Sequence, residues 1–508
     1  MLTQLEFWSM VVQLLFAGAF GACAGSLINV LAYRMPLGIS VVHPPSRCPS
    51  CHTRLTWREN IPVFGWILLR GRCRFCKSRI SAEYPIVEAS VAGLFVLFFF
   101  LYYCVPFSWN WPPESKAVFL GIDWAQVRPE WTKAGFSATW ALFVMLMVMV
   151  GTLVAMTICD AKTMMIPLQL PWTAAVVGMV THLGVGIVAQ WYQSAGRVTF
   201  TRALFPTAPD WSWAISSPGP RGWWLVGVAM GGAVGLVIAN VLLWKGLIRR
   251  SFADYNEWEA SVRPAEEHER PAPNPETSPA AAFAAKVYTP PPPPPQPPHQ
   301  APTAASMASM VAAGPSAGVG DVDAETPADM WLLYPYARRE MVKEIVYLAP
   351  AITLALLGGW LAVRMSGPWI PGVTPLSAGT PAVAVPLWLD AFSGSVLGFL
   401  VGGGVVWLIR ILGSLAFGKE AMGLGDVHLM AGVGACVGWV DSTLAFFLSA
   451  FVGLGWTAVA SISKGKGARS LPLGPSLALA TILVLLLKPV LEWWLGRLAP
   501  GWAPINLP

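Results

Sequence analysis

Charge is what this sequence has least of. Only 12% of its 508 residues are Asp, Glu, Lys or Arg, against roughly 25% in a soluble domain. That shortfall excludes an ordinary solvated surface over most of the chain. No cleavable signal is expected at the N-terminus, because the first apolar run is too long and no basic segment leads it. The spans carry no serine nucleophile elbow and no His-Glu metal-hydrolase pattern. The net charge of +6 is read by location along the chain and not as a nucleic-acid signal.

Apolar residues make up 55% of the sequence. Several uninterrupted runs reach the roughly 20 residues a bilayer-spanning helix needs. The expectation is an all-α polytopic membrane protein of about ten transmembrane helices, with one small cytoplasmic domain. Residues 1–34 form the first span and residues 35–83 a polar excursion. Residues 84–216 form a transmembrane core, and residues 381–508 a second stretch of core. Between the two cores, residues 217–380 add two further spans around a Pro-, Ala- and Glu-rich linker at 251–340. A run of prolines from Pro290 to Pro295 reads as a polyproline II tract. That linker is a spacer or a docking site for an unknown partner.

The excursion at 35–83 carries Arg47, Arg54, Arg58, Arg70, Arg72, Arg74, Lys77 and Arg79 against Glu59 and Glu83. The positive-inside rule places it in the cytoplasm. It also holds Cys48-Pro49-Ser50-Cys51 and Cys73-Arg74-Phe75-Cys76. Two such pairs about 20 residues apart match a four-thiolate zinc site. A redox dithiol is the alternative, since disulfides do not persist in a reducing compartment. A saturated four-cysteine site has no open position, so its zinc is structural. The other four cysteines, Cys23, Cys104, Cys159 and Cys436, lie in or beside apolar runs as small hydrophobes.

Two carboxylates stand at the same membrane face. Asp160 ends the third span and is followed by Ile166-Pro167. Asp426 closes Met422-Gly423-Leu424-Gly425-Asp426 at the start of the eighth. An acidic residue at a membrane boundary is a functional candidate by default. Gly423 and Gly425 let other groups approach closely. The bland alternatives are a helix cap for Asp426 and a solvated helix end for Asp160. If the two aspartates meet, they have aspartic-protease chemistry, with one proton shared by the pair. Asp390 is expected to cap the helix after the last outer loop. Asn29 and His182 are expected to be hydrogen-bonded packing residues. Glu88 lies one turn inside the second span.

Gly25-Ser26-Leu27-Ile28-Asn29 begins a series of segments that resembles the prepilin peptidases. The series continues through both cysteine pairs, Ile80 to Glu88, Asp160 with Ile166-Pro167, Met422 to Asp426, and Leu471-Pro472-Leu473-Gly474-Pro475. The resemblance covers about two thirds of the chain. It implies catalytic Asp160 and Asp426, zinc on Cys48, Cys51, Cys73 and Cys76, and motif support from Gly423, Gly425, Glu88 and Pro167. It also implies cleavage of prepilins and pseudopilins after the glycine that ends a basic cytoplasmic leader, at the bacterial inner membrane. N-methylation with S-adenosylmethionine is implied for members that carry the cysteine domain. No glycine-rich motif for that cofactor is visible. A cleavage-only peptidase and a non-catalytic scaffold or transporter are the alternatives. Ala161, Lys162, Leu168 and His428 depart from the family pattern.

Overall fold

A computed structural model describes residues 4–104, 135–194, 220–258, 334–366, 385–464 and 473–488, with single gaps at 44, 49 and 256 and isolated residues between 118 and 132 and after 488. The proline run, Trp109, Trp111, Trp124 and Leu471-Pro472 lie outside the described residues.

The long elements are all helices. They are α1 (Gln4–Arg34), α3 (Glu83–Phe99), α4 (Phe136–Thr163), α5 (Gln169–Ser194), α6 (Pro220–Trp244), α7 (Ala337–Ser366), α8 (Leu387–Phe417) and α9 (Leu424–Lys464). All eight are long and apolar enough to cross a membrane. The short α2 (Phe64–Leu68) lies in the excursion, and α10 (Leu473–Leu486) follows α9. A π-helical turn, Phe100–Cys104, extends α3, and a two-residue β-pair joins Val118–Phe119 to Ile122–Asp123.

Helix α9 is two passes, not one. Gly438 breaks it with φ 87° and ψ 171°, a conformation glycine adopts without steric cost. Eight residues of continuous helix would separate Gly434 from Ser442 by about 12 Å. Ser442 Oγ instead lies 3.3 Å from where a Cβ on Gly434 would stand. The chain therefore reverses at Gly438, a few residues before the expected end at Val440–Asp441. Among the described residues, eight helices are thus long and apolar enough to cross a membrane, against the ten expected; α9 is broken at Gly438, and α10 is a shorter apolar helix of 14 residues.

The first arm of α9 and α10 stand side by side. Asp426 and Gly474 lie at one end, and the buried ion pair Asp441–Lys488 (2.7 Å) ties the other. Small residues set the remaining contacts, because they let helix backbones approach closely in a bilayer. A Cβ on Gly398 of α8 would meet the Gly434 carbonyl at 1.9 Å, and one on Gly231 of α6 would meet the Leu354 carbonyl of α7 at 2.0 Å. Helix α4 is the most buried of the long spans. Leu142, Met149, Val150, Leu153 and Met156 fill the core from it.

Asn29 and His182 pack as expected. Asn29 donates to the Tyr84 carbonyl at 3.1 Å, and His182 Nδ1 lies 2.8 Å from the Gly178 carbonyl. Asp390 does not cap α8. The helix begins at Leu387 after Pro386, which leaves Asp390 buried in its first turn. Proline's fixed φ suits a helix start, so Pro386 sets the boundary four residues earlier than the aspartate suggested.

Candidate active site and metal centre

Asp160 sits one turn from the end of α4. Met164 closes that helix in a left-handed conformation (φ 51°) and donates its N–H to the Asp160 carbonyl at 2.9 Å. The chain then turns through Ile166-Pro167 into α5, since a residue before proline is disfavoured in helical conformation. Asp426 is the third residue of α9. It is therefore not the N-cap, which falls to Gly423. Its N–H points back to the Gly423 carbonyl at 3.3 Å. Both aspartates are buried.

The two carboxylates stand at the same end of the bundle. One contact joins their segments, and a second ties Asp160 to α10. A Cβ on Gly425 would stand 3.2 Å from Ile166 Cβ, so the glycine motif packs on the loop that follows Asp160. Asp160 Oδ2 accepts the Gly474 N–H at 3.1 Å. Gly474 comes from the first turn of α10 and approaches so closely that any side chain would strike the carboxylate. One hydrogen-bond donor from a helix N-terminus thus fixes one carboxylate. Two buried carboxylates at one end of a bundle can serve as general acid and general base in hydrolysis.

A cation buttresses the glycine motif from behind. Arg410 of α8 is buried and donates Nη1 to the Met422 carbonyl and to Glu420 Oε1. Sequence reasoning passed over Arg410. The available signal was a lone arginine inside an apolar span, which is costly unless paired.

The cysteines form a second centre. All four Sγ atoms lie within 4.8 Å of one another. Cys48 and Cys76 are 3.8 Å apart, and Cys51 and Cys73 are 3.9 Å apart. A tetrahedral zinc with sulfurs at about 2.3 Å sets sulfur–sulfur edges of about 3.8 Å. The set therefore fits a tetrahedral ion.

Each pair is presented by the same turn, used twice. Cys48 N–H bonds the Thr53 carbonyl and His52 N–H the Cys48 carbonyl, while Cys73 N–H bonds the Ser78 carbonyl and Lys77 N–H the Cys73 carbonyl. His52 (φ 53°) and Lys77 (φ 59°) hold the left-handed position in the two turns. Bridges Arg47–Arg54 and Arg72–Arg79 close them. The Ser78 hydroxyl holds the Cys76 thiol down to about 6, and burial pushes Cys73 up to about 11.

Glu88 anchors this domain to the membrane. Its Oε2 accepts the Val63 N–H at 2.6 Å, and Val63 holds φ 62° at the start of α2. A β-branched residue there is strained, so the carboxylate pins a turn that would otherwise relax. Lys162, two residues past Asp160, pairs with Glu83 at the start of α3. The cysteine domain and the aspartates are thus joined through α3.

Two segments of the chain match known families. Residues 19–102 match the Bacterial Peptidase A24 N-terminal domain, and residues 352–458 match the Type IV leader peptidase family. The first holds the four cysteines and the second holds Asp426, while Asp160 lies between them. The second match begins inside α7, one of the two helices expected to be additional. A Myxococcus xanthus (strain DK1622) prepilin leader peptidase/N-methyltransferase is 49% identical over 80 residues, 16% of this chain and 24% of that one. The Klebsiella pneumoniae protein of the same description is 42% identical over 83 residues, 15% and 36% of the two chains. That of Aeromonas hydrophila is 28% identical over 194 residues, 34% and 55%. The chain thus spans between 24% and 55% of the length of these relatives. No solved structure matches. With the cysteine domain matched on one side and the glycine-aspartate motif on the other, the chain is similar to the prepilin (type IV leader) peptidases over these two segments.

Proposed function

We propose that this protein is an aspartic prepilin peptidase, with Asp160 and Asp426 as its catalytic pair. The observation that carries the reading is the meeting of the two. Carboxylates 266 positions apart in sequence are buried at one end of the bundle, where Gly425 packs on the loop that follows Asp160. One takes a proton from water as the water attacks the scissile carbonyl. The other gives a proton to that carbonyl oxygen, and the resulting diol collapses with proton transfer to the leaving amine. Gly423 leaves room for the substrate backbone, while Gly425 lets the motif pack on Ile166.

The arginine-rich excursion at 35–83 supports a cytoplasmic active site in the bacterial inner membrane. The substrates are then prepilins and pseudopilins, cut after the glycine where a basic leader meets an apolar helix. The cysteines hold one structural zinc, which locks the two turns of the excursion. Relatives described as N-methyltransferases carry over a second activity, S-adenosylmethionine-dependent methylation of the new N-terminus.

The test is leader cleavage of a co-expressed prepilin by Asp160→Ala and Asp426→Ala variants. Both should leave the precursor uncut, and full processing by either refutes the mechanism. Mass spectrometry of the mature N-terminus reads methylation, and an unmethylated terminus after normal cleavage leaves a cleavage-only enzyme.

A further inference from the structure

We propose that Arg410 is a positioning residue for the catalytic loop, held in register by Glu344 of α7. The inference rests on the peptidase reading and adds to it a role for a helix that neither the aspartates nor the cysteines need.

Every nitrogen of the Arg410 guanidinium is engaged. Nε lies 3.3 and 3.2 Å from the two oxygens of Glu344, and Nη2 lies 3.1 Å from Glu344 Oε1. Nη1 donates to Glu420 Oε1 at 2.6 Å and to the Met422 carbonyl. The arginine and Glu344 are 2% and 4% exposed, so water cannot stand in for a missing partner. A planar fork of fixed donors holds its partners in one geometry. Here the fork has α7 on one side and the loop residues just before Asp426 on the other.

Glu344 is itself held from a second direction. Trp407 Nε1 donates to its Oε2 at 2.7 Å, and the Tyr347 ring lies 5.6 Å from Trp407. The insert adds one further contact. The Phe252 ring, which follows α6, lies 5.6 Å from the Arg410 guanidinium, and Phe252 N–H donates to Glu340 Oε2 at 2.6 Å. Glu344, Glu340 and Phe252 all fall outside the two family-matched segments, whereas Arg410, Glu420 and Met422 fall inside the second. The catalytic loop is therefore referenced to a helix that the matched segments do not fully contain. Breaking the fork frees the Met422 carbonyl and lets Gly423 to Asp426 shift relative to Asp160. That lowers turnover without touching the substrate.

The test compares steady-state cleavage of a purified prepilin by full-length variants, with kcat expressed per folded, monodisperse enzyme. Arg410→Met is expected to lower kcat by about 100-fold with KM within about threefold, the cost of a misplacement of about 1 Å. Arg410→Lys should recover part of that loss, and Glu344→Gln should lower kcat about tenfold. Lys488→Met is the control. It breaks a buried ion pair at the far end of the same short helices, and should lower thermal stability while kcat stays within about twofold. If Arg410→Met does not fold, Glu344→Gln and Arg410→Lys carry the test. The proposal is overturned if both keep kcat within about twofold of wild type, or if Lys488→Met loses as much turnover as they do. Processing by Asp160→Ala or Asp426→Ala would instead overturn the peptidase reading itself.

Discussion

Replacing Gly474 by alanine should disable the site through a single methyl group. The new Cβ would stand 2.5 Å from Asp160 Oδ2, 3.1 Å from its Cγ and 3.2 Å from its Cβ. Non-bonded heavy atoms rest at about 3.5 Å or more, so the gap must open by about 1 Å. Turning the carboxylate away does not suffice, because the Asp160 Cβ is also crowded. Either Asp160 or the start of α10 must move, and the 3.1 Å bond from Gly474 N–H to Asp160 is stretched or lost. A hydrogen bond to a charged acceptor contributes about 1.5–3 kcal/mol, which converts to about 10- to 100-fold in rate. A displacement of about 1 Å reaches the same upper figure.

The assay is the initial rate of leader removal by purified Gly474→Ala enzyme, with thermal stability measured alongside. Gly184→Ala in α5 is the matched control, because a Cβ there meets nothing within 4 Å. The expected result is a rate about 100-fold lower for Gly474→Ala, with the control close to wild type. Cleavage by Gly474→Ala within about threefold of wild type would refute the claim that this contact sets Asp160.

The other predictions concern the metal and the packing. Purified protein should contain about one zinc per chain, and Cys73→Ser should lose it while the transmembrane core stays folded. Metal analysis with thermal unfolding of the same sample checks both halves. At the crossing of α8 and α9, Gly398→Ala would drive a Cβ to 1.9 Å from the Gly434 carbonyl. Overpacking of that kind costs about 1–3 kcal/mol, read as a lower unfolding temperature in detergent. An unchanged temperature would mean that α8 and α9 pack less closely than described.

Much of this protein was legible in its sequence, because the relevant forces are local or compositional. Apolar runs too long for a soluble core mark the helices. The two Cys-x-x-Cys turns carry their own geometry, so their spacing announced a tetrahedral site before the sulfurs were placed. The Asp390 cap failed because Pro386, four residues before it, is a stronger start signal. The break at Gly438 was nearly found, but one glycine among the many in these spans gives no local sign that it alone reverses the chain.

Tertiary structure decided which distant groups meet. Nothing near Asp160 shows that its hydrogen-bond donor lies at Gly474, because helix packing brings α10 there. Glu344 and Arg410 are 66 positions apart in sequence, and only the crossing of α7 with α8 pairs them. Spacing named the four cysteines, and position at a membrane boundary made the two aspartates candidates, since a membrane makes a retained charge expensive and hence conspicuous; their catalytic role is what the resemblance implies. The packing of small residues, which acts between segments far apart in sequence, chose their partners.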